Sequence, residues 1–221
     1  MTGRAFTGAA AKKRMRSIAD QFHELYYDSW VWQNTYWMGV EALKCPLDLW
    51  TYQEILFELR PRFIVECGTA AGGSALFLAS MCDLLGEGQV LSVDIQAKPN
   101  RPEHSRITYL QGSSISAETI KTIRGTVKDA EPVMVILDSD HSRDHVLQEL
   151  RLYSGIVTPG SYLIVEDTNV NGHPVFQLHG PGPMEAVETF LSETDQFIPD
   201  RAREKFFLTF NPKGYLRRTR K

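Results

Sequence analysis

The chain has 221 residues, 43% of them hydrophobic and 23% charged, a composition typical of one folded domain and unlike that of a disordered chain. Its formal net charge of −3 gives no general attraction to nucleic acid or to a membrane surface, so neither is expected as a partner. The three cysteines form no CxxC pair, which favours a reducing, cytoplasmic setting. No apolar run approaches the roughly 18 residues that span a bilayer.

Residues 1–50 are predicted to form a helical and aromatic extension of a main domain at 51–221. The N-terminus is basic and lacks the continuous apolar core of a secretory signal; a transit peptide stays open, because no acid precedes Asp20. Apolar residues at helical spacing predict an amphipathic helix over about 12–28. The aromatic segment WVWQNTYWMGV (30–40) is either core or a lid over an active site.

From residue 62 onward, short apolar runs alternate with helical patterns. The runs are RFIVE (62–66), QVLSVD (89–94), RITYL (106–110), VMVIL (133–137) and SYLIVE (161–166). Continuous β-branched runs separated by helices predict a parallel sheet covered on both faces. Two later runs, DQFIPD (195–200) and KFFLTF (205–210), are predicted to pair antiparallel at its edge. The sequence therefore predicts a doubly wound, mostly parallel α/β domain with seven strands, in which ligands bind beyond the carboxyl ends of the strands.

The first of these strands ends in a glycine-rich turn, VECGTAAGGSA. Glycines allow a sharp turn and a close approach of the backbone to a ligand, and the N-terminus of the following helix favours anionic groups. Such a turn is a weak signal by itself, because nearly every α/β protein needs one. The spacing differs from GxGxxG, which disfavours a dinucleotide, and from GxxxxGK[ST], which excludes a P-loop.

Asp94 ends the second strand, where an acid either accepts both hydroxyls of a ribose or is simply solvated. The acid at the end of the first strand, the glycines and Asp94 together favour a nucleoside cofactor without a pyrophosphate, which fits S-adenosylmethionine. Residues 112–114 are predicted to line the adenine. The residues predicted to bind the cofactor are Glu66, Gly68, Thr69, Gly72, Ser74, Asp94, Ser113, Ser114 and Asp138.

Acids and histidines crowd the end of the fourth strand, in VMVILDSDHSRDHVLQEL (133–150). Asp138 follows that strand directly, and Glu166 and Asp167 stand at the next strand end. If the two strands are neighbours, three carboxylates converge, and a hard divalent cation would relieve their repulsion. The sequence therefore predicts a site for Mg²⁺, Mn²⁺ or Ca²⁺ held by these three carboxylates.

His141 lies three residues after Asp138, close enough for one turn to place both beside the same pocket. Histidine titrates near neutrality, so His141 is predicted as the general base of the reaction. Asp140 is the main rival for the first metal ligand, and Asp140 and Asp144 can instead cap the following helix. His145 is predicted to have a supporting or structural role.

Three blocks fall in order and resemble the cephalosporin hydroxylase and rhamnosyl O-methyltransferase family over about residues 45–190. They are CPLDLWTYQEILFELRPRFIVECGTAAGGSALFLA, VILDSDHSRDHVLQEL and GSYLIVEDTNVNG. The resemblance implies the class I S-adenosylmethionine-dependent methyltransferase fold. One departure is Ala70, which stands where many methyltransferases carry the middle glycine of the first motif.

More distantly, the pattern of Asp138, His141, Glu166 and Asp167 is similar to that of metal-dependent catechol and macrolide-sugar O-methyltransferases. In those enzymes the corresponding acids hold magnesium, and the position of His141 is a lysine or histidine base. Asp167 departs from the asparagine of the catechol enzymes, which implies a more negative metal site. The resemblance therefore implies methyl transfer to a hydroxyl of a small molecule, either a sugar or natural-product diol or a catechol-like acceptor.

Several points stay open in the sequence. The loop NVNGHPVFQLHGPGP (169–183) is a second candidate lid, and its His173 and His179 either touch substrate or do nothing. The family's hydroxylase name suggests an alternative, in which Asp138, His141 and a second histidine form an iron facial triad. A non-catalytic scaffold that retains the fold is a third interpretation. The sequence gives no oligomeric state, and a homo-oligomer stays open.

Overall fold

The computed structural model describes residues 8–219, so residues 1–7 of the predicted N-terminal extension and residues 220–221 lie outside it. The helices are α1 Ala9–Asp28, α2 Pro46–Leu59, α3 Gly73–Leu85, α4 Ala117–Thr126, α5 Arg143–Tyr153 and α6 Pro183–Glu193. The strands are β1 Tyr36–Trp37, β2 Val40–Glu41, β3 Phe63–Cys67, β4 Gln89–Asp94, β5 Ile107–Gln111, β6 Val133–Leu137, β7 Tyr162–Val165, β8 Phe197–Pro199 and β9 Tyr215–Arg218. Two short 3₁₀ helices span Val31–Asn34 and Arg201–Glu204.

Seven strands form one sheet in the order β5, β4, β3, β6, β7, β9, β8. Neighbours from β5 to β7 pair in parallel, and β9 pairs antiparallel with both β7 and β8. The predicted doubly wound, mostly parallel seven-stranded α/β fold is therefore confirmed. The strand order reverses between β3 and β6, and in such sheets a crevice for ligands opens at that point.

The central strands are apolar along their whole length because helices cover both faces of the sheet. All of β6 and β7 is buried. On one face Val135 packs in a cluster with Leu150 of α5, and on the other Met134 packs in a cluster with Ile55 of α2. Apolar burial on both faces stabilises the sheet. At the strand ends the chain leaves the sheet in polar loops.

The prediction of the last strand was wrong. Residues 205–210 form turns, and the last strand is β9. Phe207 adopts a positive φ of 65°, which a strand does not allow. The NH of Phe210 donates to the buried carboxylate of Asp48 at 2.8 Å, so this segment is tied to α2. A tertiary hydrogen bond therefore overrides the local preference of an apolar run for a strand.

Helix α1 starts at Ala9 and packs through His23 against Asn169 and Phe210, which lie in loops after β7 and before β9. The imidazole of His23 is buried, stacks on Phe210 with 5.7 Å between ring centroids, and accepts a hydrogen bond from the Asn169 amide at 3.0 Å. Within residues 8–219, none of the helices combines the length and the apolar character that crossing a bilayer requires.

Candidate active site

A cavity of about 720 Å³ lies at the carboxyl ends of the strands, where the order of the sheet reverses. Its volume is in the range of small-molecule binding sites. Most of the predicted site residues belong to its wall: Gly68, Thr69, Ser74, Asp94, Ser113, Ser114, Asp138, His141 and Asp167. Three others, Glu66, Gly72 and Glu166, lie outside that wall. The topology therefore brings the two predicted sites together in one cavity.

The turn after β3 requires glycine at Gly68. Its φ is +97°, and a Cβ there would lie 1.7 Å from the carbonyl oxygen of Asp138. The NH of Gly68 donates to the carbonyl of Val93 at 2.8 Å. The turn thus lies directly against the end of β6, which joins the glycine-rich loop to the start of the acidic cluster.

Glu66 supports this turn from below. Its side chain is fully buried, and Ser92 of β4 donates a hydrogen bond to it at 2.5 Å. Burial raises the pKa of Glu66, although the nearby Lys44 ammonium acts in the opposite direction. Glu66 therefore contacts residues that support the turn and does not line the cavity.

Asp94 holds the turn from the side. Its Oδ2 accepts hydrogen bonds from the NH groups of Thr69 at 3.2 Å and Ala70 at 2.9 Å. The guanidinium of Arg101 lies 3.1 Å from the same oxygen and donates to the carbonyl of Ala70 at 3.0 Å. Asp94 also lines the cavity, so the same carboxylate fixes the turn and faces the cavity. Sequence analysis missed Arg101, because nothing in the loop after β4 marks it.

His145 links Ser114, which follows β5, to Ser139, which follows β6, in the cavity wall. Its Nε2 lies 3.1 Å from the Ser114 hydroxyl and 3.2 Å from the Ser139 hydroxyl. Ser139 donates to the buried Glu149 at 2.7 Å, and the contact between Glu149 and His145 raises the pKa of the imidazole. This network orients the serine hydroxyls at the cavity end predicted to take the adenine.

Asp138, His141 and Asp167 meet at the opposite end of the cavity, because β6 and β7 are parallel neighbours. One ligand atom from each of these residues lies within 4.8 Å of the others. His141 Nε2 is 3.4 Å from Asp138 Oδ1 and 3.3 Å from Asp167 Oδ2. Asp167 adopts a positive φ of 55°, a strained conformation that clusters at functional sites.

The two other acids after β6 have local or exposed positions. Asp140 lies in the cavity wall, and its Oδ1 accepts a hydrogen bond from the NH of Ser142 at 2.8 Å, which stabilises the turn into α5. Asp144 is 93% exposed on the first turn of that helix. Of the acids that follow β6, Asp138 is the one that the structure places in the cluster with Asp167.

A residue that sequence analysis missed, Lys44, lies beneath this cluster. Its ammonium donates to the Asp138 carboxylate and to Glu166 Oε1, the latter at 2.6 Å. The hydroxyl of Tyr52 donates to the same Glu166 oxygen at 2.8 Å. The side chains of Lys44 and Glu166 are only 3% and 5% exposed. In the sequence Lys44 has no distinguishing signal, because it stands in a short loop before α2.

The pKa values in the cluster reflect burial opposed by charge. Burial lowers the pKa of His141, but the charges of Asp167 and Asp138 outweigh it and raise the pKa to about 9. Burial raises the pKa of Asp167 and brings that of Glu166 to about 8, even though His141 and Lys44 act against it. For Asp138, Lys44 and His141 outweigh burial and hold the pKa below its ordinary value. Because burial disfavours the ionised forms of Asp167 and Glu166, a cation beside them would stabilise their negative charge.

The aromatic segment 30–40 contributes both to the wall and to the core. Trp32 lines the cavity, donates its indole NH to the carbonyl of Tyr27 at 3.1 Å, and stacks on that ring. Trp37 points away from the cavity, packs on Phe77 at 4.9 Å and donates to Ser80. The segment is anchored by Trp37 and places Trp32 in the cavity wall.

Some residues of the loop 169–183 line the cavity, and others contact neighbouring elements instead. Val170, Phe176 and His179 line the cavity. His173 instead pairs with Glu185 of α6 at 2.9 Å. His179 is thus the loop histidine that lines the cavity.

Comparison with known proteins agrees with this architecture. The chain matches the family Rhamnosyl O-methyltransferase/CmcI over residues 29–219. It is 43% identical over 207 residues to the rhamnosyl O-methyltransferase of Mycobacterium leprae, covering 90% of each chain. It is 40% identical over 208 residues to that of Mycobacterium tuberculosis, covering 90% of this chain and 84% of the relative.

Solved structures share the fold. The apo structure of CmcI is 25% identical with a TM-score of 0.67, covering 86% of this chain and 78% of that one. MycE, a methyltransferase from the mycinamycin biosynthetic pathway, is 20% identical with a TM-score of 0.51, covering 66% of this chain and 39% of that one. The chain belongs to the rhamnosyl O-methyltransferase/CmcI family and is an S-adenosylmethionine-dependent O-methyltransferase.

Proposed function

We propose that this enzyme methylates a hydroxyl of a rhamnosyl sugar, with a divalent metal ion at Asp138 and Asp167 and His141 as the general base. One observation carries the proposal: a single cavity has the glycine turn and Asp94 at one end and the clustered ligand atoms of Asp138, His141 and Asp167 at the other. The mycobacterial relatives are rhamnosyl O-methyltransferases by name, which supports a sugar as the acceptor.

The cofactor end fits S-adenosylmethionine. Backbone at Gly68 and Thr69, the Asp94 carboxylate and the hydroxyls of Ser113 and Ser114 would hold it, since all of these residues line the cavity. Glu66 and Gly72 would instead shape the turn. When bound, the cofactor supplies an electrophilic methyl group. CmcI has a structure with Mg and SAM, and its fold is similar to this one with a TM-score of 0.65.

The acidic end fits a hard divalent cation such as Mg²⁺ or Mn²⁺. Asp138 and Asp167 offer carboxylate oxygens, the ligands that such ions prefer. When bound, the cation supplies positive charge that lowers the pKa of a hydroxyl beside it. An iron facial triad needs two histidines and one carboxylate, whereas the cluster found in residues 8–219 has one histidine and two carboxylates. The cluster therefore favours methyl transfer over the hydroxylase alternative.

His141 would remove the proton of the acceptor hydroxyl. Its Nε2 lies between the two carboxylates, and its side chain is 34% exposed toward the cavity. Without a cation the two carboxylates raise the pKa of His141 to about 9, and a divalent cation bound to them would lower that pKa, so that the neutral imidazole could accept the proton. The carboxylates also orient the imidazole. Trp32 and His179 would hold the sugar against this end, and positioning of the acceptor beside the methyl group would provide most of the acceleration. The segments 30–40 and 169–183 would then act as the lid.

The test is methyl transfer from labelled S-adenosylmethionine by protein freed of metal with EDTA, with methyl rhamnosides and catechols as acceptors. We expect methylated rhamnoside only after Mg²⁺ or Mn²⁺ is added back. Asp144→Asn, which changes an exposed acid on α5, serves as the control and should retain activity. Full turnover in the chelated sample would overturn the metal assignment. Methylation of catechols but of no rhamnoside would overturn the sugar assignment.

A further inference from the structure

Two serine residues line the cavity at the end that the adenine would occupy. Ser114 follows β5 and Ser139 follows β6. Nε2 of His145 contacts both hydroxyls, at 3.1 Å from Ser114 Oγ and 3.2 Å from Ser139 Oγ. A serine hydroxyl has one proton to donate and lone pairs that accept. What each serine can offer to a ligand therefore depends on where its proton already points.

The proton of Ser139 points to Glu149. This acid lies on α5 with its side chain fully buried, and its Oε1 accepts a hydrogen bond from Ser139 Oγ at 2.7 Å. The other oxygen, Oε2, is also buried and has no hydrogen-bond partner within residues 8–219. Loss of the Ser139 proton would leave the buried acid with still fewer donors, which costs free energy. Ser139 is therefore held as a donor to Glu149, and its lone pairs remain to accept.

His145 sets the direction of the second proton. Since Ser139 donates to Glu149, its contact with Nε2 of His145 is a hydrogen bond only if Nε2 carries a proton. The contact with Glu149 raises the pKa of His145 and so favours that proton. An NH beside Ser114 leaves the proton of Ser114 for another acceptor. The wall thus presents an acceptor at Ser139 and a donor at Ser114.

We propose that Ser139, with its proton held by Glu149, accepts from the 6-amino group of the cofactor and makes the site selective for a 6-amino purine over a 6-oxo purine. Adenine offers an amino donor beside a ring nitrogen that accepts, whereas hypoxanthine offers a carbonyl acceptor beside a ring NH. The pattern of the wall matches adenine and opposes hypoxanthine. This inference rests on the proposed function, because it takes the adenine to lie between the loops after β5 and β6.

The probes are S-adenosylhomocysteine and its deaminated form, S-inosylhomocysteine. The wild type should bind the first at least about tenfold more tightly, the usual discrimination of a matched set of hydrogen bonds to a base. Ser139→Ala removes the acceptor, so the ratio of the two dissociation constants should fall to near one, because Ser114 can donate to either purine. Glu149→Met keeps the Ser139 hydroxyl but frees its proton to reach the carbonyl of hypoxanthine, so the ratio should fall here as well.

Three further variants separate this role from a structural one. Ser139→Thr keeps a hydroxyl beside Glu149 and should retain the selectivity. Ser154→Ala removes a hydroxyl that bonds only within the end of α5, and Glu193→Met removes an acid that pairs with Arg151 on the surface. Both should bind the two probes as the wild type does. A purely structural role of Glu149 would weaken both probes by the same factor and leave the ratio unchanged.

The measurement is calorimetric titration of the full-length protein with each probe, and circular dichroism checks the fold of each variant. A ratio of about ten or more in the wild type that is lost in Ser139→Ala and Glu149→Met supports the inference. Ser139→Ala carries the test if Glu149→Met does not fold. Equal affinities in the wild type, or a ratio that survives in either folded variant, overturn the inference and leave the proposed function standing. A wild type that binds neither probe overturns both.

Discussion

The two ends of the cavity are built in different ways. The cofactor end comes from consecutive strand ends and their loops, with Gly68 after β3, Asp94 at the end of β4 and Ser113 after β5. The acceptor end joins remote parts of the chain: Lys44 contacts an acid 94 residues away, and Tyr52 contacts one 114 residues away. Local geometry determines the first end and tertiary packing the second, so we expect substitutions at the two ends to have separable effects.

The acceptor end should show the largest effect, at His141. His141→Ala should lower the rate of methyl transfer about 10²–10⁴-fold, the usual contribution of a general base. Binding of S-adenosylmethionine and Mn²⁺ should remain, because the carboxylates and the glycine turn are unchanged. Single-turnover kinetics measure the rate of methyl transfer, and calorimetry measures the binding of S-adenosylmethionine and Mn²⁺. His104→Ala, which removes a histidine paired with Asp83 outside the cavity, is the control. Lost Mn²⁺ binding would make His141 a ligand, and a fully active variant would make it a bystander.

The cofactor end should depend most on Gly68. Gly68→Ala adds both left-handed strain and a clash with the Asp138 carbonyl, so it should destabilise the fold by about 3 kcal/mol or more. Gly86→Ala is a matched control, since Gly86 also has a positive φ but a Cβ there meets nothing within 4 Å. It should cost about 1–2 kcal/mol. Urea unfolding measures both, and equal losses would contradict the close approach of the two strand ends.

The packing of α1 on the acceptor end should depend on pH through His23. Burial lowers the pKa of His23 to about 4, so the unfolded chain gains a proton near pH 6.5 while the folded chain stays neutral. The stability from this residue is complete above pH 6.5 and is lost as pH falls toward 4.

Between pH 7.5 and pH 5, the free energy of unfolding should fall by about 2 kcal/mol more in the wild type than in His23→Gln. Groups that titrate in both proteins cancel in this difference. Urea unfolding at the two pH values provides the measurement, with His104→Gln, at a histidine that is 20% exposed, as the control. Parallel pH profiles for wild type and His23→Gln would show that His23 is not buried against Phe210 in solution.

The smallest effect expected is at the aromatic wall. Trp32→Ala should raise the KM of the acceptor about tenfold, or about 1.4 kcal/mol, by removing an aromatic contact surface. The Kd of S-adenosylmethionine should stay the same, because Trp32 lies at the acceptor end. Steady-state kinetics and calorimetry separate the two constants, and Trp50→Ala tests an indole that is 59% exposed on α2. A weaker cofactor complex would mean that the two ends are not independent.

The parts of this molecule that sequence could predict are those that depend on neighbours in the chain. Apolar runs and glycines specified β3, β4 and β6, and therefore the edge at which Asp138 and Asp167 meet. The prediction of a strand at 205–210 was wrong because the NH of Phe210 donates to the Asp48 carboxylate, and this tertiary contact outweighs the β preference of the residue.

Lys44 and Arg101 were not predicted as site residues for the same reason: their positions depend on tertiary contacts. Lys44 and Arg101 look like ordinary surface cations in the sequence, and only the folded chain shows that their carboxylate partners lie at strand ends. Glu66, a strand-end acid predicted to bind the cofactor, is fully buried and accepts a hydrogen bond from Ser92. Spacing along the chain locates a strand end, whereas the direction of each side chain there depends on tertiary packing.

Calorimetric titration of Asp167→Asn with S-adenosylmethionine and then with Mn²⁺ tests the separation of the two ends most directly. We predict cofactor affinity within about twofold of the wild type and Mn²⁺ affinity at least about tenfold weaker, since even substitutions around metal ligands cost 10–100-fold. Undiminished Mn²⁺ binding, or a cofactor affinity that falls together with it, would contradict the account.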